Sequence, residues 1–279
     1  MIFKNAERLN TYLVQQKKQQ HSIGFVPTMG ALHQGHLSLI EESKKNNALS
    51  VCSIFVNPTQ FNNASDFQNY PYSLEKDIDQ LIATGCDVVF LPAIEEIYPP
   101  AQSKKIYELG DIEKILEGVF RPGHFQGVCQ VVDKLLQIVQ PHNLYLGQKD
   151  FQQCMVIKKL LTLIHLENKI QLQIVPTVRE SDGLAMSSRN LRLNETERKN
   201  ASAIFKALQF VKNNINHQKF EQLKLQAIKY LEHAGFKVDY VEIANISNLS
   251  VAENKEEPIV ALAAATINNI RLIDNLVLN

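Results

Sequence analysis

The chain has 279 residues, in which 29 lysines and arginines balance 29 aspartates and glutamates, and 45% of the residues are apolar. This length allows one large domain or two ordinary ones, with enough apolar residues for a packed core. The balanced charge argues against a nucleic-acid coat or a membrane-surface binder, although it leaves room for a local cationic pocket. The four cysteines contain no C-x-x-C pair, so neither a zinc knuckle nor a disulfide framework is indicated.

The first ten residues, MIFKNAERLN, lack the apolar core of a secretion signal. The longest apolar stretch, Ile259 to Ile267, is too short to span a bilayer. These observations predict a cytoplasmic protein, with neither membranes nor nucleic acids among its partners.

Short β-rich segments alternate with helical patterns through the first two-thirds of the chain. The predicted strands are 23–26, which stops at Pro27, 50–56, 88–91, 144–146 and 170–175. The predicted helices begin at Asn5 and at His33 and cover 74–83, 125–139 and 151–163. Strands separated by helical crossovers predict an α/β fold, a doubly wound parallel sheet covered by helices on both faces.

The pattern changes near residue 190. Asn194 and Glu197 resemble a capping box that opens one helix reaching Val211, and a second helix covers 221–232. Strand-like segments follow at 237–243, 259–266 and 270–273. The sequence therefore predicts two domains, the sheet domain in residues 1–180 and a smaller α+β domain in residues 181–279 that caps it.

The segment GFVPTMGALHQGHLSLI (24–40) places His33 and His36 in the first turn of a helix that follows a predicted strand. Residues three apart share a helix face, so both imidazoles point the same way at the positive end of the helix dipole. Free N–H groups there favour a phosphate, and Gly30 and Gly35 allow close approach of a ligand. A metal-binding pair or two capping histidines is the alternative, which the strand–proline–glycine context disfavours.

This segment resembles the H-x-G-H signature of the class I aminoacyl-tRNA synthetase and nucleotidyltransferase superfamily. Its wider form, PTMGALHQGHLSLI, is similar to the pantothenate synthetase (pantoate–β-alanine ligase) family. Further segments resemble that family in the same order: FVNPTQF (55–61), YPYSLEKD (70–77), RPGHFQGV (121–128), LGQKDFQQ (146–153), PTVRESDGLAMSSRN (176–190) and RLIDN (271–275). The resemblance spans nearly the whole chain and implies that residues 1–180 form a Rossmann-like, nucleotidyltransferase-type domain for ATP and pantoate.

The resemblance implies ATP-dependent condensation of (R)-pantoate with β-alanine through a pantoyl adenylate, with release of AMP and pyrophosphate. It also implies Mg²⁺ and a homodimer. Two alternatives stay open, another small H-x-G-H nucleotidyltransferase and a catalytically silent nucleotide-binding dimer scaffold. The uncharged Asn57 and Gln60 argue against a phosphorylated acceptor, and the presence of both histidines, Lys149 and Arg189 argues against a silent scaffold.

By resemblance, the catalytic residues are His33, His36, Lys149 and Arg189, which stabilise charge on the phosphates of ATP. The ATP-binding residues implied are Met29, Gly30, Ala31, Leu32, His33, Gln34, Gly35, His36, Gly147, Gln148, Lys149, Asp150, Val178, Met186, Ser187, Ser188 and Arg189. The residues implied for pantoate and β-alanine are Pro27, Thr28, Asn57, Gln60 and Gln153.

Several positions keep two interpretations. Asp77 is expected to help hold Mg²⁺, with Asp79 or a purely structural role as the alternative. Arg121 and His124 either bind an anion or orient a neighbouring segment. Gln148 stands where the family commonly has Glu, a change that is harmless if only the backbone contacts the ligand.

Overall fold

The computed structural model of the protein describes residues 1–62, 64–100 and 105–279. These residues separate into two compact units. The N-terminal unit comprises residues 1–147 and 153–176, and the C-terminal unit comprises residues 148–152 and 177–279. The roles assigned to the predicted domains 1–180 and 181–279 stay predictions.

Among the described residues, six parallel strands form the sheet of the N-terminal unit, in the order β1-β4-β3-β2-β5-β6. The strands are β1 (Ile2–Phe3), β2 (Ile23–Thr28), β3 (Leu49–Ile54), β4 (Val88–Phe90), β5 (Asn143–Gly147) and β6 (Gln171–Val175). The chain winds outward from β2 through β3, and again from β5 to β6, so the switch point lies between β2 and β5. The predicted doubly wound parallel sheet is confirmed. In such sheets ligands bind beyond the carboxyl ends of the strands at the switch point.

Helices cover both faces of this sheet because successive strand residues point to opposite sides. In β3, Val51 packs in one buried cluster with α1 (Ala6–Lys18), α7 (His124–Val139) and α8 (Phe151–Leu163). Its neighbour Cys52 packs in another cluster with α2 (Gln34–Asn46) and α4 (Leu74–Ala83). The remaining helices of this unit are the short α3 (Ala64–Gln68), α5 (Ile94–Ile97) and α6 (Glu117–Phe120).

The end predicted for β2 is wrong, because the strand continues through Pro27 to Thr28. Pro27 lacks an N–H group, which usually keeps proline out of a central strand. Here β2 pairs with β5 only at Gly24 and Phe25, while its pairing with β3 continues to Thr28. The proline therefore falls where one of the two ladders has already ended.

The C-terminal unit pairs helices with an antiparallel sheet of order β7-β8-β9. Its elements are α9 (Glu195–Ala201), α10 (Ala203–Asn214), α11 (Phe220–His233), β7 (Phe236–Asn245), β8 (Ile259–Ile267) and β9 (Ile270–Val277). The capping box is confirmed, since the Asn194 side chain accepts the Glu197 N–H and the Glu197 carboxylate accepts the Asn194 N–H, both at 2.9 Å. The single helix predicted from there is wrong, because the chain breaks at Ser202, where no glycine or proline marks an end.

None of the helices in the described ranges has both the length and the apolar character needed to cross a membrane. The longest apolar stretch of the sequence forms β8, the central strand of the C-terminal sheet.

Candidate active site

The turn between β2 and α2 depends on backbone conformations that most residues avoid. Gly30 and Ala31 both have positive φ angles, 79° and 49°. A Cβ atom on Gly30 would lie 2.9 Å from the Asp77 carboxylate and 3.0 Å from the Ile54 side chain. Only glycine therefore fits this position without displacing its neighbours.

His33 and His36 cap the start of α2 reciprocally. The His33 Nδ1 accepts the N–H of Gly35 at 3.1 Å, and the His36 Nδ1 accepts the N–H of His33 at 3.4 Å. A ring nitrogen that accepts a backbone N–H carries no proton, so each neutral ring carries its proton on Nε2. The two ring centroids are 4.1 Å apart. Both imidazoles lie at the start of this helix, as predicted, but they form the pair of capping histidines that was the alternative interpretation, and they occupy the N–H groups of His33 and Gly35. Each ring keeps its Nε2–H as a donor.

Asp77 in α4 holds the turn that leads into these histidines. Its two carboxylate oxygens accept the N–H groups of Ala31 and Leu32, both at 2.8 Å, and one also accepts the Ser73 hydroxyl at 3.0 Å. The residue is 1% exposed. A carboxylate that is buried and occupied by three donors does not fit a magnesium ligand, so these contacts support the structural alternative.

Asn57 opens a 3₁₀ turn after β3 and is 1% exposed. Its Nδ2 donates to the Gln60 side chain at 3.0 Å and to the Gly127 carbonyl at 3.1 Å. Its Oδ1 accepts the hydroxyls of Tyr98, at 2.9 Å, and Thr59, at 3.0 Å. These contacts support a role for Asn57 in fixing the Gln60 amide, and direct contact with substrate stays a prediction.

The Gln60 segment packs against the histidine turn. With its oxygen accepting from Asn57, the Gln60 amide directs its NH₂ group to the Met29 sulfur at 3.2 Å. The structure therefore brings together the segments that follow β2 and β3, both of which contain predicted site residues.

His124 and Gly127 at the start of α7 support the same turn. The Nδ1–H of the buried His124 donates to the Gln60 carbonyl at 2.8 Å. A Cβ on Gly127 would lie 2.3 Å from the Thr59 carbonyl oxygen, so glycine allows the helix to approach the turn this closely. For His124, this contact supports the orienting role over anion binding. Arg121 lies 3.9 Å from the Glu117 carboxylate.

The turn Gln148–Asp150, which follows β5, is held within the C-terminal unit by Asn275 of β9. Asn275 Nδ2 donates to the carbonyls of Gln148 and Lys149, both at 2.9 Å. The Gln148 side chain in turn donates to Asn275 Oδ1 at 3.2 Å. The Lys149 ammonium lies 3.8 Å from the Asp150 carboxylate. The Gln148 side chain thus contacts Asn275, so the residue type at this position affects the protein itself as well as any ligand.

The segment Val178–Arg189, which contains five of the residues implied for ATP, begins as a tight hairpin and continues into a 3₁₀ helix. The Met186 N–H donates to the Val178 carbonyl at 3.0 Å, and Gly183 supplies the positive φ of 91° in the turn. The Ser187 hydroxyl caps the 3₁₀ helix Ser188–Arg192 by accepting the Arg189 N–H at 3.3 Å. The loop therefore starts from a fixed backbone.

Two ion pairs anchor this hairpin. Arg198 contacts the Asp182 carboxylate at 2.6 and 3.3 Å, and this contact is the main reason that the pKa of Asp182 is lowered. Arg179 binds Asp274 of β9 at 2.6 and 3.0 Å. Burial raises the pKa of Asp274, and the Arg179 guanidinium opposes that rise. Arg179 and Asp182 therefore each belong to an ion pair that fixes this hairpin.

The pantoate-beta-alanine ligase family model matches residues 1–277 of the chain. The chain belongs to this family. It is 42% identical to the pantothenate synthetase of Cytophaga hutchinsonii, with 98% of this chain and 97% of that protein covered. It is also 42% identical to the pantothenate synthetase of Aquifex aeolicus, with 99% and 98% covered.

Two crystal structures agree with this membership of the pantoate–β-alanine ligase family. The pantothenate synthetase of Thermus thermophilus has a TM-score of 0.92 at 35% identity, with 99% of this chain and 98% of that chain covered. The pantoate–β-alanine ligase of Francisella tularensis, in complex with beta-gamma ATP and beta-alanine, has a TM-score of 0.84 at 39% identity, with 99% and 97% covered.

Tyr98, Gly127, Asp274 and Asn275 hold predicted site residues in place, although no role was predicted for them. A signal existed for the last two, because they are adjacent polar residues inside an otherwise strand-like apolar segment. In a strand, such residues are either at an exposed edge or buried with partners, and here both are 2% exposed.

Proposed function

We propose that this chain joins pantoate to β-alanine at the expense of ATP, releasing AMP and pyrophosphate. The observation that carries the proposal is the reciprocal capping of α2 by His33 and His36, which sets two Nε2–H donors at a helix N-terminus. Such a site suits the transfer of a nucleotide, because imidazole N–H donors at the positive end of a helix dipole favour a phosphate. Membership of the pantoate–β-alanine ligase family over residues 1–277 supports the choice of substrates.

In the first step, a pantoate carboxylate oxygen attacks the α-phosphorus of ATP, and the bond from that phosphorus to the bridging oxygen of pyrophosphate breaks. The products are pantoyl adenylate and pyrophosphate. Carboxylates are ionised nucleophiles at neutral pH, so the protein's task is to position them and to stabilise developing charge. We assign the latter to His33, His36, Lys149 and Arg189.

In the second step, the neutral amine of β-alanine attacks the carbonyl carbon of the adenylate. The amide bond forms, AMP leaves with the electron pair of the carbon–oxygen bond, and the nitrogen loses a proton. Amide side chains suit pantoate, since they both donate to its carboxylate and accept from its hydroxyls. The proposed contacts are Gln60, held by Asn57, and Gln153, together with Pro27 and Thr28.

The proposed nucleotide contacts are the segment 29–36, the turn 147–150, Val178 and residues 186–189. Mg²⁺ is proposed to accompany ATP, with phosphate oxygens and water as its ligands. Within the described ranges there is no group of three or more histidine, cysteine, aspartate or glutamate side chains that could hold a metal. A homodimer in the cytoplasm completes the proposal, and sedimentation analysis of the purified protein tests the assembly.

An AMP-release assay that omits each substrate in turn tests the function. The proposal predicts AMP formation that requires ATP, pantoate and β-alanine together, with pantothenate formed in equal amount. Turnover without pantoate, or with a phosphorylated acceptor in its place, would favour another nucleotidyltransferase. ATP binding without any turnover would favour the silent scaffold.

A further inference from the structure

Strand β9 carries two adjacent buried polar residues, Asp274 and Asn275, each 2% exposed. Successive side chains of a strand point to opposite sides, so such a pair reaches two different segments. Within the C-terminal unit, Asn275 reaches the turn that contains Lys149, and Asp274 reaches the hairpin that leads to Arg189.

Both the NH₂ group and the oxygen of the Asn275 side chain form hydrogen bonds with the turn that contains Lys149. Its Nδ2 donates to two consecutive carbonyls, those of Gln148 and Lys149, and its Oδ1 accepts from the Gln148 side chain. These three bonds fix the direction in which the turn presents the Lys149 side chain. No aspartate could replace this amide, because a carboxylate has no hydrogen to donate to the two carbonyls.

Asp274 holds the hairpin through Arg179. The guanidinium binds both oxygens of a carboxylate whose side chain is 0% exposed. The same guanidinium donates to the Gly183 carbonyl at 3.1 Å and to the Asn275 carbonyl at 3.2 Å, and it lies 4.0 Å above the Phe205 ring. Arg179 therefore ties the turn of the hairpin to both residues of the pair.

We propose that Asp274 and Asn275 act together as a positioning pair that aligns two ATP-binding segments on one strand. The proposal rests on the proposed function, because it takes ATP as the ligand of both segments. Holding the segments in place before ATP arrives removes part of the ordering cost of binding and keeps the cations where charge develops. Loss of the pair is therefore expected to affect the ATP-dependent step more than the use of β-alanine.

The variants Asn275→Asp and Arg179→Lys test the two halves of the pair. Asn275→Asp keeps the side-chain shape and removes both donors, while Arg179→Lys keeps the charge and loses the two-pronged contact. We expect each to raise the KM for ATP by about tenfold or more and to slow pantoate-dependent ATP–pyrophosphate exchange, with the KM for β-alanine within about twofold of wild type.

Asn279→Asp is the matched control. Asn279 also donates its Nδ2 to two backbone carbonyls, those of Lys255 and Glu257, at 3.1 and 3.2 Å, and its Oδ1 accepts the Ile259 N–H. It holds no proposed ATP-binding segment, so its variant is expected to keep the wild-type KM for ATP. Circular dichroism and thermal unfolding establish whether each variant is folded. If Asn275→Asp does not fold, Asn275→Ser, which adds no charge, takes its place.

Direct binding of a non-hydrolysable ATP analogue separates this proposal from the proposed function. Weaker binding by folded Asn275 and Arg179 variants, with unchanged binding by the Asn279 variant, supports the positioning pair. Wild-type affinity in those variants, or an equal loss in the control, overturns the pair and leaves the proposed function intact. A wild-type protein that binds no ATP analogue overturns both.

Discussion

Two roles can be distinguished among the residues of the histidine turn, donation to a ligand and support of the backbone. His33 and His36 each accept a backbone N–H at Nδ1, so Nε2 is the nitrogen that carries the proton of each neutral ring. Asp77 gives both oxygens to the turn before them and acts through that turn. Changing a histidine is therefore expected to lower the rate of adenylate formation, whereas changing Asp77 is expected to lower the stability of the fold.

Substituting His36 by alanine is expected to slow pantoyl adenylate formation by roughly 100- to 1,000-fold, the usual cost of removing one donor to developing charge. ATP–pyrophosphate exchange in the presence of pantoate measures this step. Because alanine also removes the helix cap, His36→Gln serves as the partner variant, since glutamine can accept the His33 N–H in a capping box. We expect the glutamine variant to recover stability without recovering the rate, and wild-type exchange in His36→Ala would refute the role.

Substituting Asp77 by asparagine leaves only one oxygen for the N–H groups of Ala31 and Leu32. The variant is expected to lose about 1–3 kcal/mol in the free energy of unfolding, measured in urea, because a buried donor becomes unpaired. The exposed Asp79 provides the control, Asp79→Asn, with an expected change within about 0.5 kcal/mol. An Asp77 variant of normal stability that needs far more Mg²⁺ for activity would instead establish the metal role.

At the scale of elements, the segment at residues 105–109 is fastened to α7 by a buried carboxylate. Asp133 accepts the Tyr107 hydroxyl at 2.6 Å and the Lys105 ammonium at 3.1 Å. Burial acts to raise the pKa of Asp133, but the hydrogen bonds from Tyr107, Gln137 and Lys105 outweigh it and hold that pKa below its ordinary value. This contact therefore stabilises the fold while Asp133 is ionised.

The variant Tyr107→Phe removes one of these bonds without changing the ring. We expect it to lower the free energy of unfolding at pH 7 by about 1.5–3 kcal/mol, as for hydrogen bonds to charged groups. The unfolded carboxyl titrates near 3.8 and the folded one lower, so the stabilisation is present above pH 3.8 and is lost as pH falls through the folded value. The difference in the free energy of unfolding between Tyr107→Phe and wild type should therefore shrink in acid. Tyr230 is half-exposed, and the control variant Tyr230→Phe should unfold with the wild-type free energy at every pH.

The sequence predicted most elements because their signals are local. The bounds of α4 and α8 match the predicted ranges 74–83 and 151–163, and Asn5 caps α1 as expected. The two wrong element bounds lie where no local signal marks the outcome. Pro27 stays in its strand because a neighbouring ladder ends before it, and the break at Ser202 lacks a local marker.

For the candidate site as well, local segments could be predicted from the sequence and contacts between distant segments could not. Residues in short, ordered segments such as the H-x-G-H turn could be placed from sequence, because their helix start is local. The partners that hold them lie far along the chain, as with Asp77 for Ala31 and Asn275 for Lys149. Hydrogen bonds between such distant segments leave no periodic pattern, so only the fold could supply them.

At the scale of the whole molecule, 29 basic and 29 acidic residues give no net charge, and the function still requires a cationic environment for three phosphates. The groups proposed to contact phosphate, the neutral His33 and His36 and the cations Lys149 and Arg189, come from three segments of the sequence. A local concentration of charge suffices for a small anion, whereas a polyanion needs an extended basic surface. The balanced composition is therefore compatible with an ATP-dependent ligase.

Activation of pantoate as its adenylate can be followed with pantoate that carries ¹⁸O in its carboxylate. Attack of the labelled carboxylate on the α-phosphorus leaves one labelled oxygen on that phosphorus when β-alanine displaces AMP. Mass spectrometry of the products should therefore show one ¹⁸O atom in AMP per turnover and none in pyrophosphate. Formation of ADP with ¹⁸O in inorganic phosphate would instead show attack on the γ-phosphorus and exclude the adenylate.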